Sequence, residues 1–240
     1  MQTKPLTNWA NFWQTNPEGF NDIMNLSTIY FADKLEEKYP LHNQDRFFDL
    51  GCGPGFFINR IVKKVKLVVG TDISEKYIEI CEKTFAGATN VSVVKLEAYD
   101  FESYSNIILK QNINRVIMLS VLQYYENLNM VKKLLISLKK NANNQKFSLF
   151  LCDIIPENHS VISDIASVLY NSLIKNYTFK FIKFLAYAIF SDYSKTKKNG
   201  LLKINPIFFT NLANELNIKS TIVKNLTIHS GRYSVLLNFN

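Results

Sequence analysis

The sequence predicts an α/β fold, a seven-stranded and mostly parallel sheet with helices on both faces, and three observations carry that expectation. Short apolar runs alternate with stretches of helical period from residue 45 to residue 153. The first run, Phe47 to Leu50, contains an acid and passes at once into the glycine-rich turn Gly51-Cys52-Gly53-Pro54-Gly55. Asp49, Asp72, Glu97, Ser120 and Asp153 then fall at or just beyond the ends of successive runs, which in a parallel sheet form one rim.

Residues 1–44 precede the first strand. Trp9, Phe12, Trp13 and Phe20 cluster there, and Asp22 to Tyr39 reads as an amphipathic helix with Ile23, Leu26, Ile29, Tyr30 and Leu35 on one face. It either covers an edge of the sheet or, with Trp9 or Trp13, closes over a ligand as a lid. After the turn, Phe56 to Lys66 is helical and Lys66 to Asp72 is the second strand, with Ser74 capping the next helix. A strand, a glycine turn and a helix present backbone N–H groups to a ligand. Asp72 lies 21 residues after Gly51, about where an acid meets a ribose hydroxyl pair; a plain helix cap is the alternative.

Strands follow at Asn90 to Lys95, Asn114 to Leu119 and Lys146 to Asp153, with a helix or turn over 101–110 and a helix from Leu128 to Leu138. Pro206 to Leu216 is helical, Ile218 to Lys224 is a strand, and the Ser230-Gly231 turn predicts an antiparallel last strand, Arg232 to Phe239. The organisation expected is a helical lid or cap over 1–44, a core over 45–153 and 205–240, and a helical insertion over 154–204.

Composition narrows the class. At 240 residues with 47% hydrophobic and 20% charged residues, the chain suits one soluble domain with an embellishment. Three dispersed cysteines, Cys52, Cys81 and Cys152, argue against a disulfide framework or a metal site. No apolar run reaches 18 residues and the N-terminus lacks a signal-peptide core, so a cytoplasmic protein, monomer or homodimer, is expected. The net charge of +8 invites nucleic acid, but only Arg46, Arg60, Arg115 and Arg232 of the 28 basic residues carry a bidentate guanidinium. Nucleic acid is therefore the less favoured partner.

With these residues in place, the chain resembles the class I S-adenosylmethionine-dependent methyltransferases. Phe48-Asp49-Leu50-Gly51-Cys52-Gly53-Pro54-Gly55 is similar to that family's first motif and Val69-Gly70-Thr71-Asp72-Ile73-Ser74 to its second. Glu97-Ala98 stands where the family usually has Asp-Ala, and Leu119-Ser120-Val121-Leu122-Gln123-Tyr124 resembles its fourth motif. The resemblance implies a Rossmann-like sheet and S-adenosyl-L-methionine as cofactor. Asp49 and the backbone at Gly51, Cys52 and Gly53 would receive the methionine part, Asp72 the ribose, Ile73 the adenine face, and Glu97 and Ala98 the adenine amino group, with Ser120 at the rim. Cys52 reads as a turn filler rather than a nucleophile. A pyrophosphate fingerprint fits less well, because Phe56 stands where its third glycine belongs.

The acceptor is expected to be a small molecule methylated on a hydroxyl: a sugar or glycan precursor, a quinone precursor or a specialised metabolite. Ser120-Val121-Leu122-Gln123 lacks the Pro-Pro-Tyr segment that amino-methylating enzymes of nucleic acids share, and no Pro-Cys occurs. In Leu173 to Phe190 the aromatics Tyr177, Phe179, Phe181, Phe184, Tyr187 and Phe190 interleave with lysines. That stretch reads as a cap on the core, a pocket wall, or a surface resting on anionic lipid. His159 and His229 are the candidate bases, and Tyr124 a candidate to orient the acceptor. RNA methylation, or a scaffold that binds cofactor without turnover, are the alternatives.

Overall fold

The computed structural model describes residues 21–141, 145–174 and 200–240, together with Trp9, Phe12, Trp13, Thr178, Phe179 and Ile182. The expected insertion is thus seen chiefly through its first helix. The interleaved aromatics lie outside the described residues except Phe179, as does Phe20.

The elements run α1 (Asn21–Lys38), β1 (Arg46–Leu50), α2 (Phe56–Ile61), β2 (Leu67–Asp72), α3 (Glu75–Phe85), β3 (Val91–Lys95), α4 (Phe101–Lys110) and β4 (Arg115–Leu119). They continue with α5 (Leu128–Asn141), β5 (Phe147–Ile154), α6 (Val161–Ile174), α7 (Pro206–Glu215), β6 (Lys219–Lys224) and β7 (Tyr233–Phe239). The seven strands form one sheet in the order β3-β2-β1-β4-β5-β7-β6. The five strands from β1 to β5 pair in parallel, while β7 runs antiparallel to both β5 and β6. The expected antiparallel last strand is present, wedged inside the sheet and not at its edge.

Strand alternation divides the core in two. Phe48, Val116, Met118, Leu149 and Leu151 face one side with residues of α4, α5 and α7. Phe47, Ile117, Phe150 and Cys152 face the other with residues of α1, α2 and α3. Sequence reasoning extended α2 to Lys66, but the helix stops at Ile61. The side-chain amide of Asn90 donates to the carbonyls of Val62 (2.9 Å) and Val65 (3.2 Å), so a distant residue ends it.

α1 lies across a sheet face, where sequence reasoning had it covering an edge of the sheet. Phe31, Ala32 and Leu35 pack in the second core. Ile23, Leu26 and Tyr30 instead meet Val168 of α6 and Ile228. A helix covered from two sides carries two apolar stripes, which is why a single five-residue face described it incompletely.

The rim is shaped by two strained residues. Ser120 follows β4 with φ +56° and Asp153 stands in β5 with φ +66°, both left-handed. The β5–β7 register shifts between Leu151 and Ile154, a bulge that swings the Asp153 carboxylate out of the ladder.

Candidate active site

The glycine turn is held from within. Gly51 and Cys52 both donate their N–H groups to the Thr71 carbonyl (2.8 and 2.9 Å), and Gly55 donates to the Cys52 carbonyl (3.1 Å). Gly53 donates to Asp72 Oδ2 at 2.9 Å. The bare N–H cradle expected from the sequence is therefore absent at these four residues, which removes the donors a phosphate would need. Gly51 has φ +83°, and a Cβ there would stand 2.5 Å from Val121 Cγ2. Both its conformation and its neighbour demand glycine.

Two acids set the charge. Asp49 is buried, and its Oδ2 has no hydrogen-bond partner. Burial, and then the neighbouring Asp72, push its carboxyl up to about 7. Asp72 is also raised by burial, against hydrogen bonds from the Ser74, Gly53 and Ile73 N–H groups that stabilise its charge. Its second oxygen accepts from Ser74 at 2.9 Å, so this acid ties the glycine turn to the start of α3. Ser74 caps α3 as expected, accepting from Tyr77 N. Cys52 and Cys81 both reach the Gly53 carbonyl, at 3.6 and 3.4 Å. Hydrogen bonding to Cys81, with burial, raises the Cys52 thiol well above its ordinary range, which suits a filler and not a nucleophile.

Above the turn opens a cavity of about 1040 Å³, its mouth included. Gly51, Gly53, Asp72, Ile73, Ala98 and Ser120 line one part of it. Trp9, Trp13, Met24, Tyr124 and Tyr125 line another. Trp9, Trp13, Met24 and Tyr124 pack as one cluster with Phe12 and Leu201. Tyr124 meets Trp9 at 4.9 Å and Trp13 at 5.5 Å between ring centroids. The Trp9 indole N–H donates to the Gly200 carbonyl at 3.1 Å, joining the N-terminal segment to the last residues of the expected insertion.

A polar network that sequence reasoning missed stands beside this cavity. Asp153 Oδ2 accepts from Ser120 Oγ (2.7 Å) and Arg232 Nη1 (2.8 Å). Its Oδ1 meets Thr227 Oγ1 and His229 Nδ1, each at 2.9 Å. Burial alone would raise this carboxyl, but the charges of Arg232 and His229 hold it far below the ordinary range. Arg232 also donates to Asp164 Oδ2 from Nη2 (2.5 Å) and Nε (3.0 Å), and to Gln123 Oε1 from Nη1 (2.9 Å). Asp164 in turn meets His159 Nε2 at 2.9 Å. The two candidate bases thus belong to one network, joined through Arg232.

A model described as "Methyltransferase domain" matches residues 41–171, more than half of the chain. The chain belongs to this methyltransferase family. Among solved structures, the methyltransferase is similar to a SAM-dependent methyltransferase from Anabaena variabilis (TM-score 0.58, 14% identity, 98% of this chain and 96% of that one). It is also similar to an O-methyltransferase family protein from Burkholderia thailandensis (0.59, 12%, 92% and 58%). A third likeness is to magnesium protoporphyrin IX methyltransferase from Synechocystis with bound SAH (0.51, 14%, 96% and 91%). At such identities these likenesses show the fold. A 73-residue stretch is 36% identical to an "Uncharacterized RNA methyltransferase" of Leptospira interrogans, covering 30% of this chain and 14% of that protein.

The methyltransferase's cofactor is S-adenosylmethionine, and the residues present fit it. Its ammonium and sulfonium are cations, and the crevice offers the Asp72 carboxylate, backed by the orphaned Asp49 oxygen buried behind the wall, with no phosphate cradle. Gly51, Gly53, Asp72, Ile73, Ala98 and Ser120 all reach the cavity wall. Asp49 and Cys52 are buried behind it. Glu97 is exposed and outside the lining, although its carbonyl accepts from the Asp100 N–H and the Tyr104 hydroxyl. Of the three residues put forward for catalysis, Tyr124 lines the cavity, while His159 and His229 stand in the network outside it.

Proposed function

We propose that the methyltransferase moves a methyl group from S-adenosylmethionine to a hydroxyl of a small molecule. The observation that carries this reading is one cavity with an acidic turn on one part of its wall and aromatic side chains on another. The bound donor supplies a methyl group on a positively charged sulfur. The chain's own work is then alignment and exclusion of water. Asp49 and Asp72 hold the donor's charged and hydroxyl groups, the rigid glycine turn fixes its depth, and Tyr124 orients the acceptor. We assign Ser120 to transmitting the position of Asp153, and with it His229, to the cavity wall.

Isothermal titration with S-adenosylhomocysteine tests the donor half; folded protein that gives no heat would sink it. Transfer of tritiated methyl from labelled donor to solvent-extractable small molecules of a cell extract tests the acceptor half. Label recovered in RNA would instead favour the second reading, which the Leptospira relative supports. Binding of RNA should then fall steeply with salt.

A further inference from the structure

We infer that the acceptor is a neutral, planar ring compound bearing a phenolic hydroxyl, seated on Trp9, Trp13 and Tyr124; the inference rests on the methyl-transfer reading above. Three observations point the same way. The first is the shape of the aromatic wall: Trp9 and Trp13 each flank Tyr124, at 4.9 and 5.5 Å between ring centroids and at tilted and edge-on angles. Such a cluster offers faces and edges to a flat ring, in the offset and edge-to-face geometries that aromatic pairs favour.

The second is charge. Among the described residues, no lysine, arginine or histidine lines the cavity, and Asp72 is its only ionisable carboxyl. Among those residues a phosphorylated or carboxylated acceptor would find no counter-ion, and it would face that acid. The third is proton chemistry. An aliphatic hydroxyl, with a pKa near that of water at about 15.7, needs a base at the reacting oxygen. Both candidate imidazoles are turned to acids in the network and neither lines the wall. A phenol, with a pKa of about 10, comes much closer to ionising unaided. Its proton passes to solvent, the phenolate oxygen attacks the methyl carbon, and the carbon–sulfur bond breaks to leave neutral S-adenosylhomocysteine and an aryl methyl ether.

The chain has two tryptophans, and both stand at this wall, so intrinsic fluorescence reads the site directly. Protein saturated with S-adenosylhomocysteine is titrated with 2-naphthol, glucose and phenyl phosphate. Saturable quenching by 2-naphthol, about tenfold or more tighter than any response to the other two, is expected. Trp9→Leu and Trp13→Leu each leave one reporter and should weaken 2-naphthol about fivefold, the equivalent of one ring contact, while S-adenosylhomocysteine affinity holds. Tritiated donor should label 2-naphthol in the parent protein. Equal or tighter binding of glucose or phenyl phosphate overturns the inference, as does 2-naphthol binding that ignores both substitutions. S-adenosylhomocysteine binding without ring selectivity overturns the acceptor class alone; no S-adenosylhomocysteine binding by folded protein removes the underlying reading too.

Discussion

Asp49 is the residue whose chemistry is most exposed to test. Its carboxyl is pushed up to about 7 by burial and by Asp72, from an ordinary 3.8. Between those values the folded protein keeps a proton that the unfolded chain has released. Stability is therefore fully present at low pH and falls as pH rises through about 7, by up to the order of 4 kcal/mol. Asp49→Asn should flatten that fall, melting above the parent at pH 8 when ligand-free. The same substitution should weaken S-adenosylhomocysteine about tenfold or more, since a charged partner is lost. A cationic ligand favours the ionised carboxylate. Calorimetry at pH 6.5 in buffers of different ionisation enthalpy should accordingly show proton release on binding.

At the scale of elements, turn and network make separate predictions. Gly51→Ala forces an L-residue into φ +83°, about 1–2 kcal/mol of strain, and drives Cβ into Val121. Cofactor affinity should fall, and Val121→Ala added to it should recover the overlap but not the strain, so rescue is partial. Arg232→Met leaves Asp153 and Asp164 without their shared cation, at a cost of about 3–5 kcal/mol in urea unfolding. Strands and glycine turn were legible in the sequence because each is local: a branched apolar run ending in a turn signal names itself. The network was not, since Arg232 and Asp164 are 68 residues apart and meet only through the fold. A hint was present in two acids and two of the three histidines converging on one rim, but no spacing rule pairs them. Similarly, Asn90 ending α2 is a long-range cap that no local window contains.

For the whole molecule, the sheet order decides what can be removed. β5 has β4 on one side and β7 on the other, and Phe147 stacks on Phe239 with centroids 4.4 Å apart. A chain cut before Arg232 exposes an apolar edge along β5 and discards the network's cation. It should be recovered in the insoluble fraction, with no cooperative melt from any soluble remainder. Surface ion pairs behave differently: Lys132 and Glu215 meet at 2.7 Å but are 39% and 54% exposed. Lys132→Met should change stability by no more than about 1 kcal/mol.

The wedged position of β7 also governs the order in which this molecule can come into being. On the ribosome, β1 to β5 emerge well before residue 239, yet the slot between β5 and β6 stays vacant until the final strand arrives. Throughout that interval Asp153 has neither Arg232 nor His229 beside it, and its backbone bulge has no strand to oppose it. Nascent chains stalled short of Arg232 should thus be clients of holding chaperones, and should snap shut to protease resistance only when the missing segment is released.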